Sequence, residues 1–250
     1  MKFTIITATY NCVDVIGDCL ASVWSQSHPD VEHIVIDGAS TDGTLDILQN
    51  HQTRFTSFVS SPDTGLYAAL NKGLELATGD VVGFLHADDL FTHQDVLRRV
   101  DQKLSADPSI DAIYGDLQYV SRNNLNRIVR HWRSQAFSPN LLARGWMPPH
   151  PTFFARRHWY QDIGLFDQGF DVSADYASML RLFQNEDFKA AYLPEVMVKM
   201  RLGGMSNRSV RAMIKKSSED WRAMRDSGFS RSVATKALVL KNLSKMKQFL

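Results

Sequence analysis

The sequence has few cysteines, no long hydrophobic run and almost no net charge, and each absence excludes a class of protein. Its 250 residues include only two cysteines, Cys12 and Cys19, which stand seven positions apart in a predicted helix. Two cysteines on one helix face form no disulfide framework, so we expect a reducing compartment, the cytoplasm. No run of about 18 apolar residues is present, so no segment is expected to span a bilayer. A strand is predicted from the first residues onward, so no signal peptide is expected.

The small net charge of +1 conceals an uneven distribution of charge along the chain. Residues 206–250 carry 11 basic and three acidic residues, whereas the rest of the chain carries 17 basic and 24 acidic residues. Apolar residues recur at helical spacing among these lysines, which predicts a basic amphipathic helical tail. Such a tail can meet an anionic membrane surface, form a dimer surface or remain a solvated face. It lacks the interleaved aromatic residues of nucleic-acid binders, so no nucleic-acid partner is expected.

Glycine-rich nucleotide motifs are also absent. Neither Gly-x-Gly-x-x-Gly nor Gly-Lys-Ser/Thr follows the first predicted strand, which argues against dinucleotide-binding and P-loop proteins. Strand and helix nevertheless alternate four times in the first half. This pattern predicts an α/β fold with a mostly parallel sheet and helices on both faces. The predicted strands are 4–7, 33–36, 55–60 and 81–85, and the predicted helices are 13–27, 44–50, 66–77 and 94–105.

The second half changes character. It predicts short strands at 113–114, 117–120 and 127–132, with a hairpin turn at 123–124. A helix is predicted over 176–183 after Asp175, then two strand pieces on either side of Pro194. After 203–204 the chain is predicted to be helical to its end.

Two adjacent carboxylates, Asp88 and Asp89, follow the predicted strand 81–85. Adjacent carboxylates repel each other, so a fold that keeps both ionised usually supplies a cation. Oxygen ligands at the carboxyl edge of an α/β sheet suit Mg²⁺ or Mn²⁺ carrying the phosphates of a substrate. A parallel sheet gathers its strand ends on one edge, so Tyr10, Asp37 and Asp63 are expected beside this pair. The alternative is that the two aspartates cap a helix beginning near Thr92.

Many motifs occur in an order that resembles the family 2 glycosyltransferases, and the resemblance covers about residues 1–207. The motifs are Thr9-Tyr10-Asn11, Ser22-Val23-Trp24-Ser25-Gln26, Asp37-Gly38-Ala39-Ser40-Thr41-Asp42-Gly43-Thr44, Asp63-Thr64-Gly65-Leu66-Tyr67, Asn71-Lys72-Gly73, Ala77-Thr78-Gly79-Asp80, His86-Ala87-Asp88-Asp89, Gly164-Leu165-Phe166-Asp167, Ala174-Asp175-Tyr176 and Arg201-Leu202-Gly203-Gly204-Met205-Ser206. The family has the GT-A fold and transfers a sugar from a nucleotide-sugar donor to an acceptor hydroxyl, with inversion at the anomeric carbon.

The resemblance also implies roles for individual residues. Asp89 would ligate the metal, Asp88 would bind the ribose or the metal, and Asp175 would be the catalytic base. His150 would face the acceptor, and Arg201 could reach the pyrophosphate. The nucleotide-sugar site would comprise Thr9, Tyr10, Asn11, Asp37, Asp63, Tyr67, Asn71, Lys72 and Asp88. Structural alternatives remain open: Asp175 could be a helix N-cap, His150 a loop histidine between prolines, and Arg201 the end of a strand.

The sequence departs from the family pattern at three positions. Gly38 follows Asp37 where many relatives carry a second acid, which weakens the identification of the base as uracil. Ala68 stands at a position that is often acidic, and His86 precedes the acid pair where Asn or a small residue is usual. His86 could be a hydrogen-bond donor behind the ligands.

These observations predict a metal-dependent glycosyltransferase domain and a tail. Residues 1–107 are expected to bind the nucleotide-sugar, with a UDP-sugar as the expected donor. Residues 108–207 are expected to bind the acceptor, and 208–250 to form the tail. The expected product is a polysaccharide or a lipid-linked oligosaccharide. The tail would rest on the inner face of the cell membrane or form a homodimer. The alternatives are a non-catalytic nucleotide-sugar-binding protein and a nucleotidyltransferase, which would release pyrophosphate instead of a nucleoside diphosphate.

Overall fold

A computed structural model describes residues 1–203 and 210–246 of the chain. The proposed boundary at 207/208 and the last part of the Arg201–Ser206 motif lie outside these residues. The strands are β1 (Phe3–Thr9), β2 (Val31–Asp37), β3 (Ser57–Ser60), β4 (Val81–Phe84), β5 (Asp89–Phe91), β6 (Ala112–Ser121), β7 (Asn124–Trp132), β8 (Phe154–Arg156) and β9 (Ala190–Arg201). The helices are α1 (Ile16–Trp24), α2 (Thr44–Asn50), α3 (Leu66–Leu76), α4 (Val96–Ala106), α5 (His158–Asp162), α6 (Ala174–Gln184), α7 (Val210–Asp226) and α8 (Arg231–Met246).

The strands form one mixed sheet in the order β3-β2-β1-β4-β8-β6-β9-β5, with β7 paired to β6. The first four strands in chain order are parallel, as the alternating pattern predicts. Strand β8 runs antiparallel between β4 and β6, and so joins the two halves of the chain into one sheet. Strand β5 pairs antiparallel with β9 at the far edge. The α/β fold class with a mostly parallel first half and C-terminal helices is therefore confirmed.

Two hydrophobic cores cover the two faces of the sheet. Successive residues of β1 point into opposite cores: Ile6 packs with the residues of α3 and α6, and Ile5 packs with those of α1 and α4. This alternation is the period of a strand that is buried on both sides. Gly83 in β4 is required by packing, because a Cβ atom there would lie 2.5 Å from the ring of Phe154 on β8.

The C-terminal helices contribute to one of these cores. Ala223 and Met224 of α7 and Ala234 and Ala237 of α8 are buried in the same cluster as Tyr176 of α6. Over residues 1–203 and 210–246, no helix is both long and apolar enough to cross a membrane.

Several predicted elements differ from the structure. The two aspartates do not cap a helix at Thr92, because Asp89 begins β5 and α4 starts only at Val96, after Asp95. The two strand pieces around Pro194 are one strand, β9, whose pairing with β6 shifts register between Tyr114 and Asp116. Likewise, 113–114 and 117–120 are one strand, β6. The tail is two helices separated by a turn at 227–230.

Candidate active site

The carboxyl ends of β1, β2 and β3 form one corner of the site. In the parallel register Thr9 lies beside Asp37, and Asp37 lies beside Ser60. The ring of Tyr10 is 63% exposed above this corner. A Cβ atom at Gly38 would lie 3.0 Å from Asp63 Oδ2 and 3.3 Å from the Tyr10 ring. The structure therefore brings Tyr10 and Asp63 to the two sides of Gly38, where they border an open surface.

Two other residues that were predicted to bind the nucleoside form hydrogen bonds within the corner itself. Asp37 is fully buried, and its carboxylate accepts hydrogen bonds from Ser60 Oγ at 2.6 Å and from the amide of Ser40 at 3.1 Å. Asn11 adopts a positive φ of 50° and accepts a bond from the amide of Thr41 at 2.9 Å. Both side chains hold the loops in place.

Asn71 and Lys72 of α3 also have partners. Asn71 is buried, donates to the carbonyl of Phe166 at 2.8 Å and accepts from the amide of Phe166 at 2.9 Å. Lys72 Nζ donates to Ser61 Oγ at 3.0 Å. Asn71 is therefore a link between α3 and the loop before α6, whereas Lys72 lies near the nucleoside corner.

The acid pair lies at the opposite end of the same sheet edge. Asp89 is only 1% exposed, and neither of its carboxylate oxygens has a hydrogen-bond partner within the described ranges. Burial and the neighbouring Asp88 raise the pKa of Asp89 well above its usual value, although Arg201 opposes this shift. Asp88 is half-buried and is the more accessible of the two carboxylates.

The pair fits a divalent cation held jointly with a substrate. Asp89 presents buried oxygens without donors, and a second carboxylate follows the same turn, which is a hard-oxygen ligand set. Among the residues that the structure describes, no group of three or more His, Cys, Asp or Glu side chains is placed to hold a metal. Magnesium sites in phosphate-handling enzymes commonly use one or two carboxylates, with substrate phosphates completing the shell.

Arg201, at the end of β9, lies against this pair. Its guanidinium is almost fully buried, donates to the carbonyl of Asp88 at 3.2 Å and forms an ion pair with Asp18 of α1. A cavity of about 380 Å³ opens beside it and is lined by Asp14, Val15, Asp18, Arg122, Asn123, Leu125 and Arg201. Arg201 therefore supports the acid pair as well as ending a strand.

Asp175 lies in the first turn of α6, and the structure contradicts its interpretation as an N-cap. Ser173 occupies the N-cap position, so the carboxylate of Asp175 is directed elsewhere. It accepts a hydrogen bond from the hydroxyl of Tyr67 at 3.1 Å. Burial, reinforced by the adjacent Asp175 carboxylate, raises the pKa of Tyr67 well above 10 and keeps the phenol protonated as a donor.

Two histidines lie between Asp175 and the acid pair. The ring of His150 stacks on Phe84 at 5.1 Å and lies 6.0 Å from the ring of His86. Burial lowers the pKa of His86, whereas Asp88 and Asp175 both act to raise it. Burial also lowers the pKa of His150 to about 4, so that its imidazole is neutral at pH 7. The ring of Phe166 lies 5.8 Å from His150 and 5.7 Å from Tyr67, which holds Asp175, so these contacts bring Asp175 and the segment of Asp88 to the same region.

The sequence analysis did not identify Lys216 of α7 as a site residue. Its ammonium lies 3.9 Å from Asp220 Oδ1 and is partly buried. Burial acts to lower the pKa of Lys216, but Asp220 and Asp175 outweigh burial and raise it. Nothing in the basic pattern of the tail distinguishes Lys216 from its neighbours, so the sequence carried no signal for its ion pair with Asp220.

Comparisons with known proteins agree with this fold. The family model for glycosyl transferase family 2 matches residues 4–170. A Mycobacterium bovis protein named PGL/p-HBAD biosynthesis glycosyltransferase is 32% identical over 216 residues, which are 82% of this chain and 79% of that protein. Escherichia coli chondroitin synthase is 28% identical over 188 residues, which are 74% of this chain and 27% of the synthase.

Solved structures are similar at lower identity. The S. aureus TarS fragment 1–349 in complex with UDP-GlcNAc superposes with a TM-score of 0.72 at 18% identity, over 95% of this chain and 70% of that one. The mannosyltransferase PcManGT from Pyrobaculum calidifontis, in complex with GDP-Man and Mn²⁺, gives a TM-score of 0.67 at 20% identity, over 96% and 68% of the two chains. These likenesses establish the fold.

The chain is thus an enzyme of the GT-A type, a transferase of glycosyl groups. It belongs to glycosyltransferase family 2. The family, the fold and the enzyme class predicted from the sequence are confirmed.

Proposed function

We propose that this protein is an inverting, metal-dependent glycosyltransferase that moves a sugar from a nucleotide-sugar donor, a UDP-sugar, to an acceptor hydroxyl. One observation carries the proposal: Tyr67, which is hydrogen-bonded to Asp175, is linked through the rings of Phe166 and His150 to His86, two residues before Asp88. A base and a diphosphate-binding acid on either side of one reaction centre are what sugar transfer with inversion requires.

The donor side consists of the strand ends. Tyr10 offers an exposed aromatic ring on which a nucleobase can stack, and Asp63 offers exposed carboxylate oxygens to hydroxyl or amide donors. Gly38 leaves space between them, because a side chain there would contact both. Lys72, held at Ser61, supplies positive charge beside the nucleotide. Asn11 and Asp37 hold this surface in shape, and the carbonyl of Thr9 accepts from the amide of Gly38 at 3.0 Å. Asn71 acts from a distance, by holding α3 to the loop at Phe166.

The acid pair would hold the cation. Asp88 is the more accessible carboxylate, so we assign the direct contact to Asp88 and a supporting contact to the buried Asp89 behind it. When bound, a divalent cation neutralises the charge that develops on the leaving nucleoside diphosphate. Arg201 adds positive charge at the same place and can approach the pyrophosphate.

The remaining step is proton removal from the acceptor. The acceptor hydroxyl attacks the anomeric carbon on the face opposite the diphosphate. The bond to the diphosphate oxygen breaks with its electron pair, and Asp175 takes the hydroxyl proton. Tyr67 donates to one oxygen of Asp175 and so fixes the direction of the other. His150 is neutral and buried beside this position, where it can orient the acceptor hydroxyl.

The test is a panel of UDP-, GDP- and dTDP-sugars with Mn²⁺, scored by thermal stabilisation and by release of the nucleoside diphosphate. A ligand that binds only the folded state must raise the melting temperature. We expect a UDP-sugar to stabilise the protein and to yield UDP. Release of pyrophosphate would indicate a nucleotidyltransferase, and stabilisation without any product would indicate a binding protein.

We further propose that the acceptor is a growing glycan or a lipid-linked oligosaccharide at an anionic membrane surface. Helix α7 exposes Met213 and Ile214 beside the exposed Lys215, and α8 exposes Leu243 and, three positions after the exposed Lys236, Val239. Apolar side chains among lysines suit the boundary between lipid headgroups and acyl chains.

Cosedimentation with vesicles of phosphatidylglycerol and phosphatidylcholine tests this membrane contact. We expect the protein to sediment with anionic vesicles at low salt and Ile214→Glu to abolish this. Ile128→Glu is the matched control, because Ile128 is similarly exposed but lies on β7. Equal sedimentation of both variants would contradict the assignment, and a dimer disrupted by Ile214→Glu would favour a subunit interface.

A further inference from the structure

The backbone immediately before α6 is held by an acid from another helix. The carboxylate of Glu219 on α7 accepts hydrogen bonds from three consecutive amides: Asp171 at 3.2 Å, Val172 at 2.9 Å and Ser173 at 3.1 Å. Amides at the start of a helix lack partners within the helix and favour a negative charge. Ser173 in the N-cap position makes no capping bond with its side chain. Glu219 binds the N-cap amide of Ser173, and its other two bonds hold the loop that leads into α6.

A second, buried network holds the same segment from the other side. The hydroxyl of Ser173 donates to Asp220 Oδ1 at 2.8 Å, and Lys241 of α8 donates to Asp220 Oδ2 at 2.8 Å. The ammonium of Lys241 also lies 3.7 Å from the ring centre of Tyr176. Asp220 is only 2% exposed, so these charges are shielded from water and paired with each other.

Both sets of contacts converge on the residues that flank Asp175. Ser173 precedes it by two positions and Tyr176 follows it directly, so α7 and α8 fix the backbone on each side of the proposed base. Within the described part of the chain, the carboxylate itself accepts a hydrogen bond from the side chain of Tyr67 on α3. A small shift of the first turn of α6 would therefore move Asp175 relative to Tyr67 and to the acceptor. Misplacement by about 1 Å can cost about 10²-fold in rate.

We infer that Glu219 is a positioning residue for Asp175, and that α7 is part of the catalytic unit although the family match ends at residue 170. The inference rests on the proposed role of Asp175 as the base. It adds that Glu219 is the group that orients the carboxylate of Asp175. Glu219 acts through the amides of 171–173 and does not itself contact the substrate.

The first test compares Glu219→Gln with Glu186→Gln. The substitution is the same, but Glu186 is exposed beyond the other end of α6. We expect Glu219→Gln to lower kcat about tenfold while the donor KM stays within about twofold, because the nucleoside corner is far from α7. We expect Glu186→Gln to leave both constants unchanged.

A double-mutant cycle separates positioning from general stability. If Glu219 acts through Asp175, then Glu219→Gln should cost little in an Asp175→Asn background. An equal loss of kcat in both backgrounds would overturn the inference. If Glu219→Gln does not fold, Ser173→Ala replaces it in the cycle, since this variant removes the bonds of the hydroxyl to Asp220 and to the carbonyl of Lys216 from the same segment.

Amide hydrogen exchange provides a readout that does not depend on turnover. Exchange at residues 171–173 should be at least about tenfold faster in Glu219→Gln than in Glu186→Gln, because the bonds of these amides to the Glu219 carboxylate are weakened. Unchanged exchange would refute the positioning contact, whatever the activity. Faster exchange in a protein whose wild type consumes no donor would instead count against the proposed function.

Discussion

His33 of β2 is a fully buried imidazole whose Nε2 lies 3.1 Å from Thr7 Oγ1. Aromatic rings of Trp24 and Phe55 contact it, and no acid is in contact with it among the described residues. Burial without a counter-charge lowers the pKa of His33 to about 3, against 6.5 for the free side chain. The folded protein therefore keeps a neutral imidazole where the unfolded chain becomes charged.

His33 should make the protein less stable as the pH falls. The unfolded state binds a proton below about pH 6.5, whereas the folded state resists it down to about pH 3, so stability is lost across this window. Between pH 7.5 and 5.5 we expect His33 to account for a loss of roughly 1.4 kcal/mol. Urea unfolding at both pH values measures it. His33→Gln should remove this part of the loss, and an identical pH dependence in the two proteins would contradict the assignment.

Asp175→Asn tests the base. The amide keeps the size of the side chain but cannot take the acceptor proton, so kcat should fall by about 10²–10⁴-fold. Donor binding should be retained, because the nucleoside corner and the acid pair are unchanged. Steady-state kinetics with the donor found in the panel provides the measurement. Asp187→Asn, at an exposed position beyond α6, is the control. Wild-type turnover in Asp175→Asn would exclude a base at this position.

The types of the residues that follow the strands indicated where the site would form. They did not indicate how the side chains would be oriented. The sequence predicted that Tyr10 and Asp63 would meet at a sheet edge, because parallel strands end together. It did not predict that Asp37 and Asn71 form hydrogen bonds with Ser60 and Phe166, since these contacts depend on loop conformation. The Tyr67–Asp175 bond joins residues 108 positions apart, and no local pattern encodes it.

At the scale of elements, the side chain of Asn71 links α3 to the loop before α6. Asn71 satisfies both the amide and the carbonyl of Phe166 in a buried setting. A buried backbone group that loses its partner costs about 1–3 kcal/mol. The geometry of Tyr67, one turn earlier on α3, therefore depends on this link.

Asn71→Leu should destabilise the protein by about 2–4 kcal/mol, because it leaves two buried backbone groups without a hydrogen-bond partner. Denaturant unfolding gives the value, with the slope expected to stay unchanged. Glu75→Leu, at an exposed position one turn later on α3, serves as the control. A loss below about 0.5 kcal/mol would show that water or a rearranged loop satisfies Phe166.

The alternating strands and helices of the first half were predictable because each buried strand is a continuous apolar run with turn residues after it. Strand β5 was not, since Asp89-Leu90-Phe91 is too short to show a period, and only its pairing with β9 makes it a strand. Pro194 suggested a break in β9. The strand continues because the register shift opposite Asp116 accommodates it.

For the whole molecule, the tail is where expectation and structure differ most. Its basic composition suggested an appendage, but α7 and α8 place four small or flexible apolar side chains in the main core: Ala223, Met224, Ala234 and Ala237. Periodicity shows that a helix has an apolar face. It does not show which partner covers that face.

A chain ending at residue 209 should therefore lose cooperative unfolding. Removal of both helices exposes the core around Tyr176 and leaves the amides of 171–173 without Glu219. Near-ultraviolet circular dichroism and calorimetry would detect the loss of fixed packing. A truncated monomer with a sharp transition near the wild-type melting temperature would contradict this prediction and restore the tail as an independent appendage.

The central claim is that carboxylates distant in sequence meet in one cleft, where a divalent cation and a nucleotide-sugar bind together. Calorimetric titration of the stabilising UDP-sugar, with and without Mn²⁺, into wild type, Asp88→Asn and Asp175→Asn tests it most directly. We predict that binding requires Mn²⁺, is lost in Asp88→Asn and persists in Asp175→Asn. Equal affinity without the metal, or unchanged affinity in Asp88→Asn, would contradict the account.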